Sequence, residues 1–204
     1  SGLYSKGERL CVLPNDSHVI DIPSNEVKST PPPHPSWWHH PTLSKDGQLA
    51  VEVLHWSDGP HVVRFWEPWS GKPPCDLLLP ERSFGTAWVA FAPTGLMYLG
   101  MNPTTFPEER LFPQLVRVDP APVIRHLSEA GVSETGDLKP LSVREGAVTT
   151  MAPLARFFAW HSPPAFDANG RLLAAWSADG WGLVLECASG RLVAELPWKG
   201  PGSG

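Results

Sequence analysis

Apolar positions along the chain fall into short runs that recur around glycines. Four segments share one pattern: Leu3 to Leu10, Leu43 to Ala50, Phe91 to Tyr98 and Phe166 to Leu173. In each, an apolar residue stands four positions before a glycine (Gly7, Gly47, Gly95, Gly170), and apolar residues return two or more positions after it. Such spacing predicts a strand, a tight turn with positive φ, and a second strand, which is a β-hairpin.

A second shared element follows each hairpin. Ile20-Asp21, Trp66-Glu67, Val118-Asp119 and Leu185-Glu186 each pair an apolar residue with an acid. A turn comes next: Pro23-Ser24-Asn25, Pro68 to Gly71, Pro120-Ala121-Pro122 and Ala188-Ser189-Gly190. Three of these lead into extended segments, Glu26 to Lys28, Lys72 to Leu79 and Arg191 to Leu196. Between glycine and acid lies a further turn at Asn15-Asp16, Asp58-Gly59 and Asp179-Gly180, replaced in the third unit by a loop over Asn102 to Arg110. Each unit therefore reads as four short strands.

Four-stranded antiparallel units repeated about every 40 to 50 residues are the sequence form of a propeller blade. The chain resembles WD40-like repeats, best over Phe166 to Leu173 and on through Ala188 to Val193. Trp66-Glu67 and Ile20-Asp21 stand where that family places its Trp-Asp pair, but no blade has a preceding Gly-His and no true Trp-Asp occurs. The resemblance implies an all-β fold of about four blades, a partial or small propeller with an irregular insertion. It covers units at about 3–36, 37–84, 85–159 and 160–198 of one domain, with the insertion at 120–159.

The turn glycines are 40, 48 and 75 residues apart, which leaves about 25 to 30 extra residues in the third unit. Val123, Ile124, Leu127 and Ala130 are spaced for one or two helical turns, with Gly131 as a helix end. Leu138 to Thr150 alternatively supplies the outer strand that the third unit lacks. The first unit opens within its innermost strand, so the expectation is a fragment of a larger propeller or a half closed by another chain. An intact four-bladed ring is the alternative.

Composition agrees with short elements. The 204 residues hold 18 glycines and 24 prolines, which excludes a protein built of long helices. A net charge of −5 without a basic run argues against nucleic acid and anionic membrane surfaces. Cys11, Cys75 and Cys187 are odd in number and widely spaced, which argues against a disulfide framework or a cysteine zinc site and for buried thiols or a reducing compartment, with a cytoplasmic location expected.

Ten tryptophans need an account. Trp56 and Trp176 precede equivalent turns and are expected to pack at the end of a second strand; Trp66 fills the dipeptide position. In a propeller, the loops entering the blades share a face with the loops between second and third strands. That face would gather Trp37, Trp38, His39, His40, His55, Trp56, Phe106, Trp160, His161 and Trp181. Aromatic side chains there could anchor a protein, peptide or glycan.

His34, His39 and His40 lie close enough in sequence to suggest a metal site. Trp160 and Pro164 repeat Trp37 and Pro41, however, and a feature that recurs between blades points to architecture, so no metal is expected. No nucleophile elbow, phosphate loop or zinc-protease motif is present, and no catalytic residue or cofactor is expected. Asp46, Asp167 and Asp179 read as turn residues. The expected function is a non-catalytic protein-interaction platform with a protein or peptide partner. Alternatives are the glycan- or peptide-binding part of a propeller enzyme, or a domain that self-associates to complete a ring.

Overall fold

A computed structural model describes residues 3–6, 9–12, 18–21, 23–29, 42–54, 62–79, 84–103, 113–130, 138–142, 144–145, 148–151, 163–176 and 180–197. These form four antiparallel sheets of four strands each, one per predicted unit. Blade 1 comprises β1 (Leu3–Lys6), β2 (Arg9–Val12), β3 (His18–Asp21) and β4 (Glu26–Ser29). Blade 2 comprises β5 (Thr42–Leu43), β6 (Ala50–Leu54), β7 (Val62–Trp66) and β8 (Cys75–Leu78). Blade 3 contains β9 (Phe84–Phe91), β10 (Met97–Pro103), β11 (Gln114–Val118) and, after an insertion, β12 (Val148–Thr150). Blade 4 contains β13 (Ala165–Phe166), β14 (Leu172–Trp176), β15 (Trp181–Glu186) and β16 (Leu192–Pro197). Within each sheet the strands lie in chain order.

The turns form for the reasons the sequence gives. Gly47, Gly95 and Gly170 have φ of 69°, 87° and 65°, the left-handed region predicted for the first hairpin of a blade. Gly7 lies outside the described residues. Asp167 closes its turn with a carboxylate that accepts the Arg171 and Leu172 N–H groups at 2.6 and 2.7 Å. Three of the last turns share a serine device. The Ser24, Ser70 and Ser189 hydroxyls accept the N–H two residues on, from Glu26, Lys72 and Arg191, at 3.3, 3.1 and 3.2 Å. Ser24 and Ser189 also donate to the acid three residues earlier, Asp21 and Glu186.

The described chain divides into two compact units, Ser1–Arg82 with Asp119–Val148, and Ser83–Val118 with Thr149–Gly204. In the first, both central strands of blade 2 are buried along their whole length. The insertion begins with α1 (Ala121–Glu129), started by Pro120 and by the Asp119 carboxylate, which accepts the Ala121 N–H at 2.9 Å. Val123 and Leu127 are its buried side, and α1 lies against β8.

Of Leu138 to Thr150, the alternative source of the third unit's outer strand, Val148–Thr150 forms that strand, whereas residues 138–141 lie along blade 2. They run parallel to β8 through an Leu77–Leu141 bridge. The Leu138 and Leu141 N–H groups donate to the Pro74 and Asp76 carbonyls at 3.2 and 2.8 Å, and the Leu78 N–H donates to the Leu141 carbonyl at 3.0 Å. This strap gives the edge of blade 2 the hydrogen bonds an outer strand otherwise leaves to solvent.

In the second unit, one core joins blades 3 and 4. Trp88, Tyr98, Leu115, Met151, Leu173, Leu183, Leu185 and Cys187 are all buried in it. The Tyr98 hydroxyl donates to the Cys187 carbonyl at 3.0 Å, and its ring meets Phe166 at 5.7 Å between centroids. Gly100 sits opposite Trp88, and a Cβ there would lie 2.3 Å from the indole, so the wide ring fits only because the facing residue is glycine.

Candidate functional site

Of the ten side chains expected on one loop face, Trp37, Trp38, His39, His40, His55, Trp56, Phe106, Trp160 and His161 lie outside the described residues. Trp181 is described. It opens β15 opposite Pro197, half-buried, and packs against the core shared by blades 3 and 4. Its strand position puts it on the side of the sheet that carries Leu183 and Leu185. Trp176, at the end of β14, takes the opposite side, where its ring lies over Gly182.

A charged row crosses blade 2, and it was not singled out from the sequence. Glu52 on β6, Arg64 on β7 and Asp76 on β8 stand directly opposite one another in register. Glu52 and Arg64 are 4% and 3% exposed, the two buried charged residues among those described. The Arg64 guanidinium donates two bonds to the Asp76 carboxylate, Nε to Oδ1 at 2.8 Å and Nη2 to Oδ2 at 2.9 Å. Paired in this way, Arg64 and Asp76 hold each other's charge in a setting that would otherwise reject both. Burial pushes the Glu52 carboxyl up to about 7, against the pull of Arg64 and with a further push from Asp76. Trp66 and Ala50 continue the same side of the sheet, packed with Leu43 and Trp69.

The row lies inside the blade, with Glu52 and Arg64 shielded from solvent. Asp76 links it to the strap, because its carboxylate binds Arg64 while its carbonyl accepts Leu141. Burial also perturbs two thiols and a phenol. Burial pushes the Cys75 and Cys187 thiols up to about 12 and 11, which leaves almost no thiolate near neutral pH. Burial likewise lifts Tyr98 to about 12.

The second prominent feature is the outer side of blade 4. Large exposed apolar residues among those described are Val27, Ile124, Leu172, Trp176, Leu192, Val193 and Leu196. Five of these belong to β14 and β16. One side of the sheet is buried through Leu173, Ala175, Leu183 and Leu185, while the other presents Leu172, Trp176 and Leu196 to solvent.

Solved structures with this arrangement are found among larger proteins. Hydrazine synthase of Kuenenia stuttgartiensis matches with a TM-score of 0.60 at 14% identity, over 94% of this chain and 60% of that one. TolB from Acinetobacter baumannii matches with a TM-score of 0.55 at 13% identity, over 97% of this chain and 40% of that one. The dihydro-heme d1 dehydrogenase NirN gives 0.56 at 14% identity, over 98% of this chain and 37% of that one. The fold is a β-propeller fold. No family model matches the chain, and no curated protein matches it. The chain spans less than two thirds of the length of each of these three structures.

As propeller blades, the sheets explain why sequence reasoning passed over the charged row. Ala50-Val51-Glu52-Val53-Leu54 and Val62-Val63-Arg64-Phe65-Trp66 each hold one charge inside a five-residue apolar run. Strands buried on both sides read as continuous apolar runs, so a charge within one is the signal. Matching Glu52 to Arg64 and Asp76 required the strand register, which no pattern in the sequence supplied.

Proposed function

We propose that this chain is a non-catalytic, WD40-like propeller segment that serves as a protein-interaction platform. The observation that carries this reading is the concentration of exposed apolar side chains on blade 4. Leu172, Trp176 and Leu196 lie on the side of the sheet away from the core, and Leu192 and Val193 are exposed on its edge strand, β16. Apolar clusters of this kind on a folded protein favour a partner, since covering them removes hydrocarbon from water. Tryptophan is the side chain most enriched where contact energy concentrates. A second reading, the binding part of a propeller enzyme, is supported by the enzyme names of two structural neighbours. It ranks lower because likeness at 14% identity reaches the fold alone.

Site-specific crosslinking tests the platform. A photoreactive residue replaces Val193 in one protein and Val27, also exposed but in blade 1, in another. A discrete crosslinked partner from position 193, competed by unlabelled protein and lost in Leu172→Lys/Leu196→Lys, is the expected result. The partner is then purified and its binding reproduced in isolation. Equal, non-competable capture at both positions would remove the reading.

A further inference from the structure

We propose that β16 binds an extended, leucine-bearing peptide by strand addition, parallel to β16, as residues 138–141 of this chain add to β8. The proposal rests on the platform reading and names the occupant of the same surface.

The two outer strands hold equivalent places. Leu77 faces Val63, three residues before Trp66, and Leu196 faces Gly182, three residues before Leu185. Trp66 and Leu185 both precede the acid that opens the last turn of their blade. Yet Leu77 is 0% exposed and Leu196 is 46% exposed. In blade 2, α1 and the strap lie against the outer strand. In blade 4, β16 ends the sheet, and no described strand pairs with its outer side. Leu192 and Val193 on the same strand are 40% and 46% exposed.

Edge strands are normally protected by charge, proline or a covering segment, because they template pairing with another chain. β16 has one charged residue, Glu195, and one proline, Pro197, at its last position. Its other four residues, Leu192, Val193, Ala194 and Leu196, are apolar.

The strap shows what chemistry fits such an edge. It is Leu138-Lys139-Pro140-Leu141, bound through three main-chain hydrogen bonds of 2.8 to 3.2 Å, none of which uses the missing N–H of Pro140. The occupant is therefore an extended segment with leucines three apart and no acidic excess beside Glu195. Main-chain bonds supply binding, and contacts of the leucines with Leu192, Val193 and Leu196 supply selectivity.

A fluorescent peptide with the sequence of residues 137–142 is the probe, titrated into the intact protein by anisotropy. Saturable binding is expected, with slowed amide exchange confined to β16. Val193→Lys/Leu196→Lys, at positions already exposed, should weaken binding at least tenfold. A peptide N-methylated at its second leucine, lacking the donor that Leu141 uses on Asp76, should lose as much against unmodified protein.

Equal binding of the N-methylated peptide would overturn strand addition in favour of side-chain docking. Protection at β8 instead would mean that the probe had displaced the strap, and this also overturns the proposal. Self-association of the protein that is abolished by the lysine pair would assign β16 to a second copy and overturn the peptide as occupant. If the peptide fails to bind while crosslinking from position 193 still captures one partner, strand addition falls and the platform stands. Failure of both removes both.

Discussion

Glu52 gives the stability of this protein an unusual dependence on pH. Its carboxyl is raised from 4.5 to about 7 in the folded chain, chiefly by burial. Between those values the folded state keeps a proton that the unfolded state has already released. Stability from this group is therefore complete below about pH 4.5 and declines as pH rises through about 7, after which it is level. At about 1.4 kcal/mol per pKa unit, the decline amounts to about 3 kcal/mol. That is a large part of the ~5–15 kcal/mol by which domains are usually stable.

Glu52→Gln removes the titration and keeps the shape of the side chain, while Arg64 retains its two bonds to Asp76. Urea unfolding of both proteins from pH 4 to pH 8 measures the effect. The variant should gain on the natural chain between about pH 4.5 and 7, the difference changing by about 3 kcal/mol from pH 4 to pH 8, or ~1.5 M in the midpoint for a slope near 2 kcal/mol/M. Hydrogen bonds hold the exposed carboxyls of Glu145, Asp167 and Glu186 below their usual range, and their stabilisation is lost as pH falls. Both proteins share those groups, so they cancel in the difference. A difference between the two that stays constant with pH would refute the buried, proton-holding role of Glu52.

Two glycines should respond unequally to alanine. At Gly100 the new methyl would meet the Trp88 ring at 2.3 to 2.7 Å with Trp88 1% exposed, so Gly100→Ala should cost about 1–3 kcal/mol in a denaturant titration. At Gly182 the methyl would meet the far edge of the Trp176 ring, which is 38% exposed rather than enclosed, so Gly182→Ala should cost less, under ~1 kcal/mol. Equal costs would mean that the two rings are equally confined. Tyr98→Phe leaves the Cys187 carbonyl without its 3.0 Å partner and should destabilise the protein by about 1–2 kcal/mol, read from the thermal midpoint. In the natural protein the Tyr98 phenol should stay protonated at pH 10.5 by ultraviolet difference absorbance, since it is raised to about 12.

Local chemistry made the blades legible. A glycine four residues after an apolar position, an acid before a serine or proline turn, and apolar runs of four to six residues are each satisfied within one hairpin. Such signals survive in the linear chain because the atoms that obey them are only a few residues apart. The helix at Ala121–Glu129 was visible for the same reason, through the spacing of Val123 and Leu127. The register of β6, β7 and β8 was not. It brings residues 52, 64 and 76 into a row, and only strand pairing determines which charge meets which.

The strap shows the same limit from the other side. Leu138 to Thr150 carried the signal of an extended segment, but not which edge it would join. Its last three residues complete blade 3, whereas residues 138–141 cover blade 2. An open strand edge offers main-chain bonds to any extended backbone, so a linear pattern alone does not tell which edge a segment joins. Exposure is decided in the same way. Leu77 and Leu196 are the same residue type at the same place in a blade, and only what lies next to each makes one core and the other surface.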